Sequence, residues 1–220
     1  MDTAPVRLIA TALRVTAMAE RKRRRVQIAA RRMPRPVPWD WAEPRIMPLL
    51  SGPCFDPPGS ELVRLTSSLG PAIEFGLDLG STVLRVDHPV AERWECSAEQ
   101  LLATGLANLR RRAERLSATD VTTAVMSGYR IRLLDRRPHW ASSILLDLPT
   151  LTRLFGDQDQ FIAAPRADCL VTAPINTPPR VFADIALGLE DQWNSLWLDP
   201  FLLESGELIW ESSLPDEEED

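Results

Sequence analysis

"FIAAPRADCLVTAP", residues 161 to 174, is an apolar run broken once, at Arg166-Ala167-Asp168. The two apolar pieces, 161 to 165 and 169 to 173, have strand length and are too short for helices. Proline presets a turn dihedral and aspartate accepts hydrogen bonds from nearby amides, so Pro165 to Asp168 reads as the connection between two antiparallel strands. The charges of that step are then expected outside the core. Arg166 and Asp168 become the residues expected to make a surface contact.

The flanking segments extend the pattern. "VTTAVMSGYRIRLLD", 121 to 135, reads as strand, Ser127-Gly128 turn, strand, with Arg130 and Arg132 alternating against Tyr129, Ile131 and Leu133. "AIEFGLDL", 72 to 79, and "TVLRV", 82 to 86, form a third hairpin about Gly80-Ser81, and "LWLDPFLLESGELIW", 196 to 210, a fourth about Ser205-Gly206. Between them lie helices. Ser97 with Gln100 is a capping box for 97 to 116, whose apolar stripe is Leu101, Leu102, Leu106, Leu109, Ala113 and Leu116. "HWASSILLDLPTLTRLFG", 139 to 156, carries Pro149 at a first turn and Gly156 as its stop. "NTPPRVFADIALGLEDQW", 176 to 193, has Thr177 as cap and Val181, Phe182, Ile185, Leu189 and Trp193 on one stripe. The expected fold class is α+β: a mixed, mostly antiparallel sheet packed against two or three helices, with a basic N-terminal helical arm.

The organisation follows from composition. Residues 1 to 33 read as a basic helical arm and 34 to 59 as a proline-rich linker that lays Trp39 and Trp41 on the body. Residues 60 to 210 read as the α+β domain and 211 to 220, ending in "PDEEED", as a disordered acidic tail. A chain of 220 residues with 45% hydrophobic content can bury one core. Residues 1 to 50 hold eleven basic and four acidic side chains, and the remainder fourteen and twenty-seven. That asymmetry makes Arg21, Lys22, Arg23, Arg24 and Arg25 candidate nucleic-acid contacts, with docking of the arm on an acidic protein surface as the equal alternative.

Several chemistries are closed. Lys22 is the single lysine and lies within "RKRRR", so neither a Walker-type nor a kinase-type lysine is available, and Schiff-base catalysis is disfavoured. His88 and His139 are the only histidines, and neither has a partner at metal-ligand spacing, so no metal and no cofactor are expected. The odd, scattered cysteines Cys54, Cys96 and Cys169 imply a reducing, cytoplasmic setting. No run approaches the roughly 18 apolar residues of a membrane span. A signal peptide is rejected because Arg14 interrupts the apolar stretch before "RKRRR". The arginine run 110 to 115 closes its helix at the end where cations complement the dipole, and it is expected to be solvated.

Asn108-Leu109-Arg110, Ala141-Ser142, Leu145-Leu146, Pro165, Asp168 and Leu170 carry a resemblance to the bacterial YtpQ family of uncharacterised proteins. It covers about residues 60 to 210, and Ala167 departs from it by standing where that family has arginine. The resemblance implies an α+β domain and no established activity. Function is therefore expected to be a non-enzymatic protein-interaction or regulatory module with an unknown protein partner. The alternatives are a nucleic-acid-associated protein using the arm, and a hydrolase joining Cys169 or Ser142 to His139 and Asp168.

Overall fold

The computed structural model describes residues 33–51, 62–65, 71–80, 82–135, 138–190 and 200–210, with a few isolated positions besides. Among the described residues, ten strands form two antiparallel sheets. The smaller contains β1 (Ile46–Ser51), β2 (Arg64–Leu65), β3 (Ala72–Asp78) and β4 (Val83–Arg85), with β1 along one edge of β3 and β2 and β4 sharing the other. The larger has the order β10-β9-β7-β8-β6-β5, built from β5 (Thr122–Met126), β6 (Tyr129–Asp135), β7 (Gln160–Arg166), β8 (Cys169–Pro174), β9 (Phe201–Glu204) and β10 (Glu207–Trp210). The helices are α1 (Trp39–Ala42), α2 (His88–Arg93), α3 (Ala98–Ala113), α4 (Leu148–Phe155) and α5 (Pro179–Gly188). The α+β expectation holds.

The apolar run 161 to 174 forms the two central strands of the larger sheet. Ile162, Ala164 and Leu170 face a core shared with α3, α4 and the 3-10 helix Ala141–Leu146, while Phe161, Ala163, Val171 and Ala173 face Phe182 and Ile185 of α5. Phe161 and Phe182 stack with centroids 5.6 Å apart. A strand covered on both faces has no polar face to display, which is why β7 and β8 read as continuous apolar sequence. The hairpins at Ser127-Gly128 and Ser205-Gly206 have positive φ at both central residues, the twist that two-residue connections favour.

Of the segment expected to be a linker, residues 34 to 51 are instead structural, and 52 to 59 lie outside the described residues. Residues 39 to 45 turn helically, and β1 that follows is buried, pairing with β3 from Ile46↔Leu77 to Ser51↔Ala72. The prolines misled because proline is tolerated on an edge strand wherever its nitrogen faces away from the ladder. Pro48 is such a case: its carbonyl accepts from Ser143 Oγ at 2.6 Å, so that side of the residue faces away from β3. Trp94 Nε1 donates to Val37 O at 2.9 Å and packs against Trp39, fastening the residues before β1 to the smaller core.

Helix α3 has the expected capping box, Ser97 with Gln100, but its buried face includes Gly105 and Asn108 beside Leu101, Leu109 and Ala113. Asn108 Nδ2 donates to Glu43 O at 2.6 Å and Ile46 O at 3.0 Å, and its Oδ1 accepts from Arg111 at 2.7 Å. Three polar groups are thereby satisfied by one side chain at the entry to β1. On α5 the cap differs from expectation: Pro178 occupies the N-cap position without a side-chain bond, and the buried Thr177 hydroxyl has no partner. Of the arm, Arg24, Gln27, Ile28 and Arg31 are helical and exposed; its other residues to Ala30, Arg32, and the tail 211–220 lie outside the described residues.

Gly105 lets α3 approach β1. A Cβ there would stand 3.0 Å from Pro48 Cδ and 3.1 Å from Pro48 N. Alanine favours helices by about 1 kcal/mol over glycine. Gly105→Ala is nevertheless expected to destabilise the protein by about 1–2 kcal/mol, because the obstacle is backbone. The urea midpoint measures it, and a raised midpoint would show that helix and strand separate freely.

Candidate functional site

The structure draws Arg166, Asp168, Asp135 and Cys169 together at the end of the central hairpin. The turn is Ala167-Asp168 alone, closed by Arg166↔Cys169, with a bulge between Ala163 and Arg166 that holds Pro165. A bulge is where a strand accommodates proline, and the Pro165 carbonyl accepts from Leu196 N at 3.3 Å. The extra residue re-aims Arg166 inward. Its side chain is 12% exposed; its guanidinium bonds Asp135, donates from Nε to Asp168 at 3.0 Å, and donates to Leu189 O at 2.6 Å.

The expected surface contact is therefore corrected at Arg166. A guanidinium taken from water in the bulge needs its donors satisfied, and two carboxylates and a carbonyl of the turn after α5 satisfy them. This clasp ties the hairpin, β6 and the end of α5 together. Asp168 is only partly exposed and serves as one of its arms.

The hydrolase reading places its groups here, and the geometry disfavours it. Cys169 is fully buried, and burial pushes its thiol up to about 12, with Asp135 and Asp168 adding to the rise and Arg166 opposing it. Such a thiol stays protonated at neutral pH and is a poor nucleophile. Ser142 is 2% exposed, and its backbone N–H donates to Ala167 O at 3.1 Å, so it braces the turn. His139 lies half-buried just before the 3-10 helix. Among the described residues no group of three or more His, Cys, Asp or Glu side chains could hold a metal ion, and no helix is long and apolar enough to cross a membrane.

The arginines closing α3 were expected to be solvated, and Arg110, Arg111 and Arg115 are exposed, while Arg112 is half-buried. Arg112 bonds Asp78 of β3 and Pro44 O, and Arg110 Nε donates to Asp147 at 2.7 Å. Arg153 of α4 donates to Leu116 O at 2.6 Å and Ala113 O at 2.8 Å, satisfying carbonyls at the end of α3. Of the candidate nucleic-acid contacts, Arg24 is helical and exposed, whereas Arg21, Lys22, Arg23 and Arg25 lie outside the described residues.

Among the described residues no strand pairs with the outer edge of β5, which sequence reasoning passed over. β5 ends the larger sheet, and Val125 is 74% exposed. The two-residue turn makes Met126 and Tyr129 a mutually hydrogen-bonded pair, so by alternation Thr122 and Ala124 also bond to β6. Thr123 and Val125 then turn their N–H and C=O groups outward. The strand Thr-Thr-Ala-Val-Met holds no charge, proline or glycine, the residues that ordinarily blunt an edge. That absence was legible in the sequence, but nothing there marked β5 as terminal.

No family model, no curated protein and no solved structure matches this chain.

Two outcomes follow from these environments. Native Cys169 is expected to resist iodoacetamide at pH 8 and to react once the protein is unfolded, as read by peptide mass spectrometry; rapid native labelling would show an accessible thiolate. For Asp147, burial alone would raise the carboxyl, but hydrogen bonds from Thr150 and Arg110 and the charge of Arg110 outweigh it and hold it below its usual value. A carboxyl depressed on folding contributes stability that is present above its unfolded value, about 4, and lost as pH falls through the folded value. The urea stability gap between wild type and Asp147→Asn is therefore expected to narrow below about pH 4. A gap constant with pH would contradict this.

Proposed function

We propose that this chain is a non-enzymatic, cytoplasmic protein-interaction module that takes an extended partner segment onto the edge of β5. The carrying observation is the pair of outward backbone positions, Thr123 and Val125, on an uncharged terminal strand with Val125 74% exposed. Main-chain bonds to an added strand supply affinity in this mode, and alternate side chains supply specificity. The buried, protonated Cys169 and the committed Arg166 support a binding role over a hydrolytic one. The likeness to the YtpQ family adds no activity to this reading.

Panning a displayed random-peptide library on the full chain tests it. Recovered peptides are expected to slow amide exchange at Thr123 and Val125, and Thr123→Pro, which removes an outward donor while sparing the β6 ladder, is expected to weaken them at least tenfold. Peptides that bind Thr123→Pro equally well would overturn the assignment.

A further inference from the structure

We infer that the segment accepted by β5 is acidic, placing a carboxylate opposite Val125 where Arg130 can reach it. This rests on the edge-docking reading and names its partner chemistry.

Val125 pairs with Arg130 across the hairpin, so both side chains stand on the same sheet face, with Arg130 one strand further in and exposed. On this face Thr123 pairs with Arg132, but Arg132 is spent: it donates to Leu154 O at 2.8 Å, also bonds Phe155 O, and lies 5.8 Å over the Phe155 ring. Arg130 forms no ion pair among the described residues. The nearest acid of the strand's own approach, Asp120, sits beyond the far end of β5 and accepts from Ser117 N at 2.8 Å. The charge presented beside Val125 is accordingly positive.

A residue of an added strand opposite Val125 lies two inter-strand steps from Arg130, about 10 Å. An extended arginine and a glutamate close that gap from the two sides. Their methylene stems then cover Val125, an apolar side chain otherwise left to water. A lysine at the same place would set like charges over the valine. A single five-residue edge strand is also too small a surface for a stable dimer of this chain, which needs roughly 1,200 Å² or more, so the occupant is a short extended segment.

The probes are two synthetic heptapeptides that alternate valine with glutamate or valine with lysine, titrated into the full chain at low salt by amide-resolved NMR. The glutamate peptide is expected to bind at least tenfold tighter, with shifts centred on residues 122 to 126 and the preference shrinking at high salt. Arg130→Glu is expected to invert the order, and Arg130→Gln to abolish the preference; unchanged urea midpoints confirm that both fold. Equal affinity of the two peptides for the wild-type chain, or no inversion in Arg130→Glu, would overturn the acidic assignment and leave edge docking standing. Absence of shifts in β5 with either peptide would remove both.

Discussion

Helix α3 lies against strand β1 so closely that a Cβ at Gly105 would press on the Pro48 ring and backbone, and the rest of the architecture depends on that contact. Asn108, one turn on, supplies donors to the carbonyls of Glu43 and Ile46 as the chain enters β1. Arg112, a further turn along, reaches Asp78 at the end of β3 and the carbonyl of Pro44. A glycine, an amide and a guanidinium at i, i+3 and i+7 thus stitch one helix to β1, to the turn before it and to the end of β3 by close approach, neutral hydrogen bonds and charge.

Two of the three cores are organised by this pair, the third lying between the larger sheet and α5. Ile46 and Leu101 point into the smaller core, with Phe75, Leu77 and Trp94; Met47, Leu50, Leu109 and Ala113 point into the larger one, with Leu151, Leu154 and Phe155. Strand β1 and helix α3 are shared beams, and the two sheets form one packed unit through them. Ser143 strengthens the junction by donating to the free side of Pro48. The larger sheet is then buried on both faces at its centre, where Arg166 clasps the hairpin, and fades toward β5, where cover runs out. Among the described residues the edge of β5 carries no added strand, whereas the charges of the hairpin turn are paired.

Local chemistry made much of this legible. The four hairpins show in their Ser-Gly, Gly-Ser and Asp-containing turns, and the capping box of α3 shows in Ser97 and Gln100. Reading failed where one residue type serves two settings. Proline in 34–59 signals a linker by composition, yet Pro48 fits a strand whose outer side is free of ladder bonds. An arginine in a turn reads as solvated, yet a bulge of one residue turned Arg166 inward to two carboxylates. Asn108 and Gly105 fell outside the apolar stripe because burial there is defined by a partner 60 residues away, which no helical period reveals.

By itself, the sequence determined the hairpins, the capped helix α3 and the antiparallel class, because periodicity, capping and turn residues act over a few positions. Only the tertiary structure decided that β1 belongs to the core, that Arg166 is a clasp, and that β5 is the strand left at the edge. These depend on which surfaces meet: strand order, register and burial arise from contacts between distant segments, and a residue's charge or polarity acquires its role only once its neighbours are in place.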